Sequence, residues 1–269
     1  MITSRPITAR RIFNTFPVAF GLYAFILGMI AWASYNGAQH MGYNWQWYQI
    51  PKYFYTYTDD GFQSGEIITG LWATIVLSGI SFSLATILGL LIAFLRMSGL
   101  VLGKGVSVIY LEFVRNIPLL VLLYLFYYVL GPVFGLGRWI AAVLTLAVFH
   151  SALISEIFRA GINSVATGQS EAAASIGMNR VQAYRYIILP QSMRFMLPPL
   201  FGEVVHLIKS SAIVSVIAVT ELTTTGRNII SDTYMSFEIW FTIAVVYMAL
   251  TLVLSFSISA IERRFKPKT

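Results

Sequence analysis

Apolar residues run through this chain in blocks about one bilayer thick, separated by short polar segments. Six blocks stand out, at about 17–35, 67–95, 107–130, 139–160, 195–218 and 237–262. A helix crossing the hydrocarbon layer needs about 20 mostly apolar residues, so each block predicts one crossing. The third block carries Glu112, Arg115 and Pro118 near its start, and the fifth carries Pro198, Pro199, Glu203, His206 and Lys209. Proline and ionisable groups survive inside a span only where protein or a water-filled path surrounds them. The third and fifth blocks are therefore expected to face an interior rather than lipid. The predicted fold class is an all-α membrane bundle of six helices.

Composition agrees with the pattern. The chain is 57% apolar and only 11% charged, against about 25% charged for an average soluble domain. Such a chain cannot cover its surface with polar groups in water. With no cysteine, it has no disulfide framework and no thiolate metal site. The net charge of +7 sits between apolar runs, which reads as membrane topology and not as a nucleic-acid face. If the N-terminus is inside, the inner segments hold Arg5, Arg10, Arg11, Arg96, Lys104, Arg159, Arg180, Arg185, Arg194, Arg263, Arg264, Lys266 and Lys268. The outer ones hold only Lys52, Arg138 and Arg227. This asymmetry predicts that both termini are cytoplasmic. The basic start and the apolar run Val18–Ala33 suit a signal peptide, but no small-x-small cleavage site follows. The run is expected to be a retained span.

The outer segment 36–66 is rich in aromatics: Tyr43, Trp45, Trp47, Tyr48, Tyr53, Phe54, Tyr55 and Tyr57. Trp and Tyr favour the headgroup zone. Two readings stand, a helix lying on the outer leaflet or a contact for an external protein.

The long inner segment between the fourth and fifth blocks has a pattern of its own. Ser170 offers a helix cap, and Glu171 suits the positive end of the helix dipole. Ala172, Ala173 and Ala174 favour helix, and Gly177 ends it. A second helix is expected from about Asn179, with Val181, Tyr184 and Ile188 on one stripe and Pro190 closing it. Helices this short are unstable alone and must pack on something.

This segment resembles the EAA loop of binding-protein-dependent ABC importer permeases. That pattern is EAA, three residues, Gly, nine residues, Ile-x-Leu-Pro. Here it is met by Glu171, Ala172, Ala173, Gly177, Ile187, Leu189 and Pro190, opened by Gly168-Gln169. The flanks Ser155-Glu156-Ile157-Phe158-Arg159, Glu112-Phe113-Val114-Arg115-Asn116-Ile117-Pro118 and Glu221-Leu222 are similar to the polar amino-acid branch, serving histidine, glutamine, arginine or glutamate/aspartate.

The resemblance implies a type I importer permease in a bacterial inner membrane. A core at 67–262, with its loop at 168–190, follows an N-terminal helix and external loop at 1–66. A basic tail at 263–269 ends the chain. It implies partners as well: ABC ATPase subunits gripping the loop, a second permease subunit, identical or related, an extracytoplasmic solute-binding protein and the amino-acid substrate. ATP and Mg belong to the ATPase, and this chain is expected to bind no cofactor.

Within the spans, Lys209 with Ser210 and Ser211 is the first candidate for the substrate path, because intramembrane charges are costly and usually functional. Relatives of this branch often read Lys-Asp-Thr-Ser-Leu here. This chain reads Lys-Ser-Ser-Ala-Ile, and the missing acid points to an acidic amino acid. Glu112 and Arg115 share a helix face and suggest either part of the path or an ion pair at the inner boundary. Glu203 is expected to be structural or at a gate. His150 and His206 are expected as hydrogen-bonded core residues, since no second His stands at ligand spacing from either.

Catalytic motifs are missing. Gly99-Leu100-Val101-Leu102-Gly103-Lys104-Gly105 falls short of a phosphate loop, having three residues between its glycines and glycine in place of Ser or Thr. The expectation is a transport subunit without its own ATPase site. An ion-coupled secondary transporter should show paired broken helices or an acid relay. A non-transporting scaffold would leave the loop pattern unexplained.

Overall fold

The computed structural model describes residues 16–58 and 61–265. The basic residues Arg5, Arg10, Arg11, Lys266 and Lys268 lie outside these ranges. Two compact units divide at Gln46 and Trp47. In the first, α1 spans Phe16–His40, apolar and fully exposed along its membrane-length window. Its apolar surface suits lipid, since it has no polar face to turn toward water.

The second unit opens with a 3₁₀ turn at Trp47–Tyr53, then the hairpin strands β1 (Tyr55–Thr58) and β2 (Gly61–Ser64). Residues 47–58 and 61–64 thus form a short turn and a hairpin and not the expected interfacial helix. Pro51 inside the turn and the β-favouring run Tyr55-Thr56-Tyr57-Thr58 explain the difference. Tyr53 is buried, whereas Tyr48, Tyr57 and Phe62 are exposed.

Eight further helices follow among the described residues of the unit. Glu66–Met97 is α2, Val101–Asn116 is α3, Leu119–Phe134 is α4 and Arg138–Asn163 is α5. Thr167–Ser175 is α6, Arg180–Ile217 is α7, Leu222–Thr233 is α8 and Ser236–Phe265 is α9. Five helices of the described residues are long and apolar enough to cross a membrane; α3 and α4, bent by 107°, make a sixth span if counted together. The expected third span, about 107–130, is therefore broken. Ile117 is extended before Pro118, which disfavours helix for its predecessor and cannot donate its own N–H.

Packing centres on α2 against α5. Small residues line it: Ser78, Ser81, Ala85, Gly89 and Ala93 on α2, Ala142, Ala147, Ser151, Ala152 and Ser155 on α5, all buried. Lipid gives little hydrophobic drive between helices, so close backbone approach and dispersion hold them. A Cβ on Gly89 would lie 2.8 Å from Ile154 Cγ2 and 2.9 Å from the Ser151 carbonyl oxygen. Across one end run Leu77, Leu123, Leu146, Val214 and Ile217. Nearer the other lie Ala85, Ala93, Ile154, Phe158 and Met196.

Candidate functional site

The loop between α5 and α7 is built by local rules. Its first helix, α6, starts at Thr167 behind Ala166, earlier than expected, so Ser170 is no cap; its hydroxyl donates to the Thr167 carbonyl at 2.8 Å. Gly177 terminates α6 at φ +79, a left-handed value that suits glycine. The Gly177 N–H reaches the Ala174 carbonyl and the Met178 N–H the Ala173 carbonyl, each at 3.0 Å, a Schellman close. Asn179 then caps α7 in a reciprocal box with Gln182, both bonds 2.9 Å.

Pro190 does not close this second helix. It sits at the start of a regular stretch after one π-helical turn, Tyr184–Ile188, and the helix runs unbroken from Arg180 to Ile217. The widened turn accommodates a proline that lacks an N–H to donate. The second loop helix and the fifth span are one rod.

The loop is anchored on one side and open on the other. Ala173 is fully buried and Ala183 nearly so, where α6 packs on the first turns of α7. Gln191 Nε2 donates to Gln169 Oε1 at 3.3 Å across the pair. Gly168, Glu171 and Ala172 are exposed, and the Glu171 carboxylate makes no ion pair among the described residues. Ile176, Val181, Tyr184 and Leu189 are also exposed, although Ile187 is half-buried and Ile188 is buried. Val181, Tyr184 and Leu189 line a groove of about 410 Å³ with Phe94, Arg180 and Arg185. Replacing Gly177 by Ala should strain this close by about 1–2 kcal/mol. We expect roughly tenfold faster amide exchange across 170–178, read by hydrogen-exchange mass spectrometry.

Beside the loop, Glu156 of α5 gathers three arginines from three helices. Its Oε1 pairs with Arg96 of α2 and lies 3.8 Å from Arg115 Nη1 of α3. Its Oε2 takes Arg159 Nε at 2.9 Å and Nη2 at 2.8 Å. The expected Glu112–Arg115 pair is not formed: Asn116 Nδ2 donates to Glu112 Oε2 at 3.0 Å, and Arg115 turns to Glu156. Sequence spacing shows only the Arg159 pair at i+3 on α5; Arg96 and Arg115 come from separate helices and left no such hint.

In the middle of the bundle, α7 carries Glu203 and His206 one turn apart, and α5 brings His150 to them. His150 Nδ1 lies 2.5 Å from Glu203 Oε1, and His206 Nδ1 lies 3.6 Å from the same oxygen. His150 and Glu203 are buried, while the His206 side chain is 54% exposed. Glu203 thus has a structural bond to α5. Lys209 is exposed and makes no ion pair or hydrogen bond among the described residues, so it does not pair with Glu203. Ser211 is buried with its hydroxyl donating to the Ile208 carbonyl at 2.8 Å, which takes it off any open path; Ser210 is half-buried.

At the far end, Glu221 caps α8. It accepts the Thr223 and Thr224 N–H groups at 2.8 and 2.6 Å and the Tyr247 hydroxyl at 2.9 Å. Burial pushes its carboxyl above the ordinary range, against these donors.

Residues 85–267 match the family described as binding-protein-dependent transport system inner membrane component. The chain belongs to this family. The matched stretch holds the whole loop, the Glu156 knot's acid and the mid-bundle cluster of the permease. A glutamine transport system permease protein of Escherichia coli is 35% identical to the permease over 203 residues, covering 74% of this chain and 93% of that one. A nopaline transport system permease protein of Agrobacterium fabrum is 33% identical, covering 71% and 83%. A crystal structure of an amino acid ABC transporter with histidines matches the permease at a TM-score of 0.70 and 41% identity, over 74% of this chain and 93% of that one. The fold is that of type I ABC importer permeases, the class expected from sequence.

Proposed function

We propose that the chain is the membrane-spanning permease subunit of an ATP-driven importer of polar amino acids, with its loop on the cytoplasmic side. The observation that carries this reading is the rod α7. One end presents exposed loop side chains, Val181 and Tyr184, and the other passes Glu203, His206 and Lys209 through the bundle. A push on the loop moves the span that lines the path. Alternating access then follows from a partner binding two states unequally. ATP and Mg are held by partner ATPases, a second permease completes the path, and an external binding protein delivers the solute. The named amino-acid relatives support the substrate class.

The test is uptake by proteoliposomes holding the permease, its neighbouring ATPase and its binding protein. Amino-acid uptake should require ATP inside. Uptake driven by an ion gradient without ATP would favour a secondary transporter.

Within that class, an acidic substrate is the finer reading. Lys209 is a cation with no side-chain partner among the described residues, open to receive a carboxylate. A charge-assisted hydrogen bond contributes about 1.5–3 kcal/mol. Lys209→Met should therefore raise the KM for glutamate about 10- to 100-fold while leaving ATPase assembly intact. An unchanged KM would remove Lys209 from substrate recognition.

A further inference from the structure

We propose that His150, Glu203 and His206 bind one divalent transition-metal ion between α5 and α7. The geometry comes first. Glu203 and His206 stand at i and i+3 on α7, which sets both donors on neighbouring rows of one face. His150 enters from α5, its ring centroid 5.3 Å from that of His206. One donor atom from each of the three lies within 4.8 Å of the others. Small rotamer changes draw such a set onto one ion with bonds of about 2.0–2.2 Å.

The donor chemistry selects the metal class. Two imidazoles and one carboxylate suit zinc, iron, nickel or copper, whereas calcium and magnesium want more oxygen ligands. Three protein ligands also leave a coordination position open, and the half-exposed His206 marks the side on which it opens.

Burial supplies the second, independent observation. His150 is fully buried and bonded to Glu203 through Nδ1, yet its Nε2 has no hydrogen-bond partner among the described residues. Nε2 points away from Glu203, so an ion shared with Glu203 and His206 would sit on Nδ1 in place of the present bond, with no bond on Nε2 to be broken as the ring adjusts. Glu203 is buried too, in the middle of a span. A divalent ion beside it would offset the hydration the buried carboxylate has lost. Bound there, it would lock α5 to the rod α7.

The experiment uses the assembled importer in lipid nanodiscs, purified without a polyhistidine tag, and titrates zinc by calorimetry and cobalt by its visible absorption. The expected result is one saturable ion per permease chain, with cobalt bands of a four- or five-coordinate nitrogen and oxygen site. Glu203→Gln and His206→Asn should each weaken binding roughly tenfold or more. His206 is exposed, so His206→Asn should assemble normally and keeps the test open if Glu203→Gln does not. No saturable binding to the unaltered importer, or binding unchanged in His206→Asn, would overturn the site.

Discussion

Replacing Glu171 by lysine is expected to abolish ATP-driven uptake while leaving the bundle folded. Glu171 is exposed on α6 and makes no ion pair among the described residues, so the substitution breaks no ion pair there. Exposed changes away from caps and cores usually alter stability by no more than about 0.5 kcal/mol. A partner that receives this carboxylate meets the reverse charge instead, and truncating or reversing one side of a buried interfacial pair costs about 2–5 kcal/mol. Uptake should fall at least about 30-fold by that energy. The permease should still insert, purify as a monodisperse protein and keep its melting temperature. Ala172→Asp should act in the same direction. Wild-type uptake in Glu171→Lys would mean that the loop bears no load.

The second large effect concerns the fold. Gly89→Leu should destabilise the permease by about 3 kcal/mol or more, at the upper end of overpacking costs. Its first side-chain carbon would already meet Ile154 and the Ser151 carbonyl at 2.8 and 2.9 Å. The backbone carbonyl cannot move aside without breaking the α5 ladder. Separating α2 from α5 then loosens the best-packed pair in the bundle. Gly79→Leu on the same helix is the control. Nothing lies within 4 Å of its added carbon, and it should melt at or above the wild-type temperature. Thermal unfolding in detergent by intrinsic fluorescence reads both variants. Equal melting temperatures would contradict the packing account.

Much of this was legible from the chain because a bilayer imposes one length scale on apolar blocks. The spans that became α2, α5 and α9 fell where the blocks lay, and the close of α6 at Gly177 followed from glycine's freedom at positive φ. Proline was harder to read. Pro118 breaks its span, with a 107° bend, whereas Pro190 is absorbed by a π-helical turn in a continuous rod. Pro198 and Pro199 also ride within the helix without breaking it.

Convergence across helices left no trace in spacing at all. Glu156 stands 60 residues from Arg96, and His150 stands 53 from Glu203. Only the crossing of α2, α3, α5 and α7 brings them together. The clue available was indirect: acids and histidines inside apolar blocks need partners, and those partners had to come from neighbouring spans. Lys209 behaves differently, remaining without a side-chain partner among the described residues, which keeps it as the candidate for the solute.

The central claim is that an ATPase grips this loop from the cytoplasmic side. The chain has no cysteine, so one introduced at Ala172 is unique. In whole cells, Ala172→Cys should stay unlabelled by a membrane-impermeant maleimide added outside. In inside-out vesicles it should label, and it should form a disulfide with cysteines placed on the ATPase subunit, while the buried position in Ala173→Cys should not. Labelling from outside, or cross-linking to no ATPase from either face, would contradict the account.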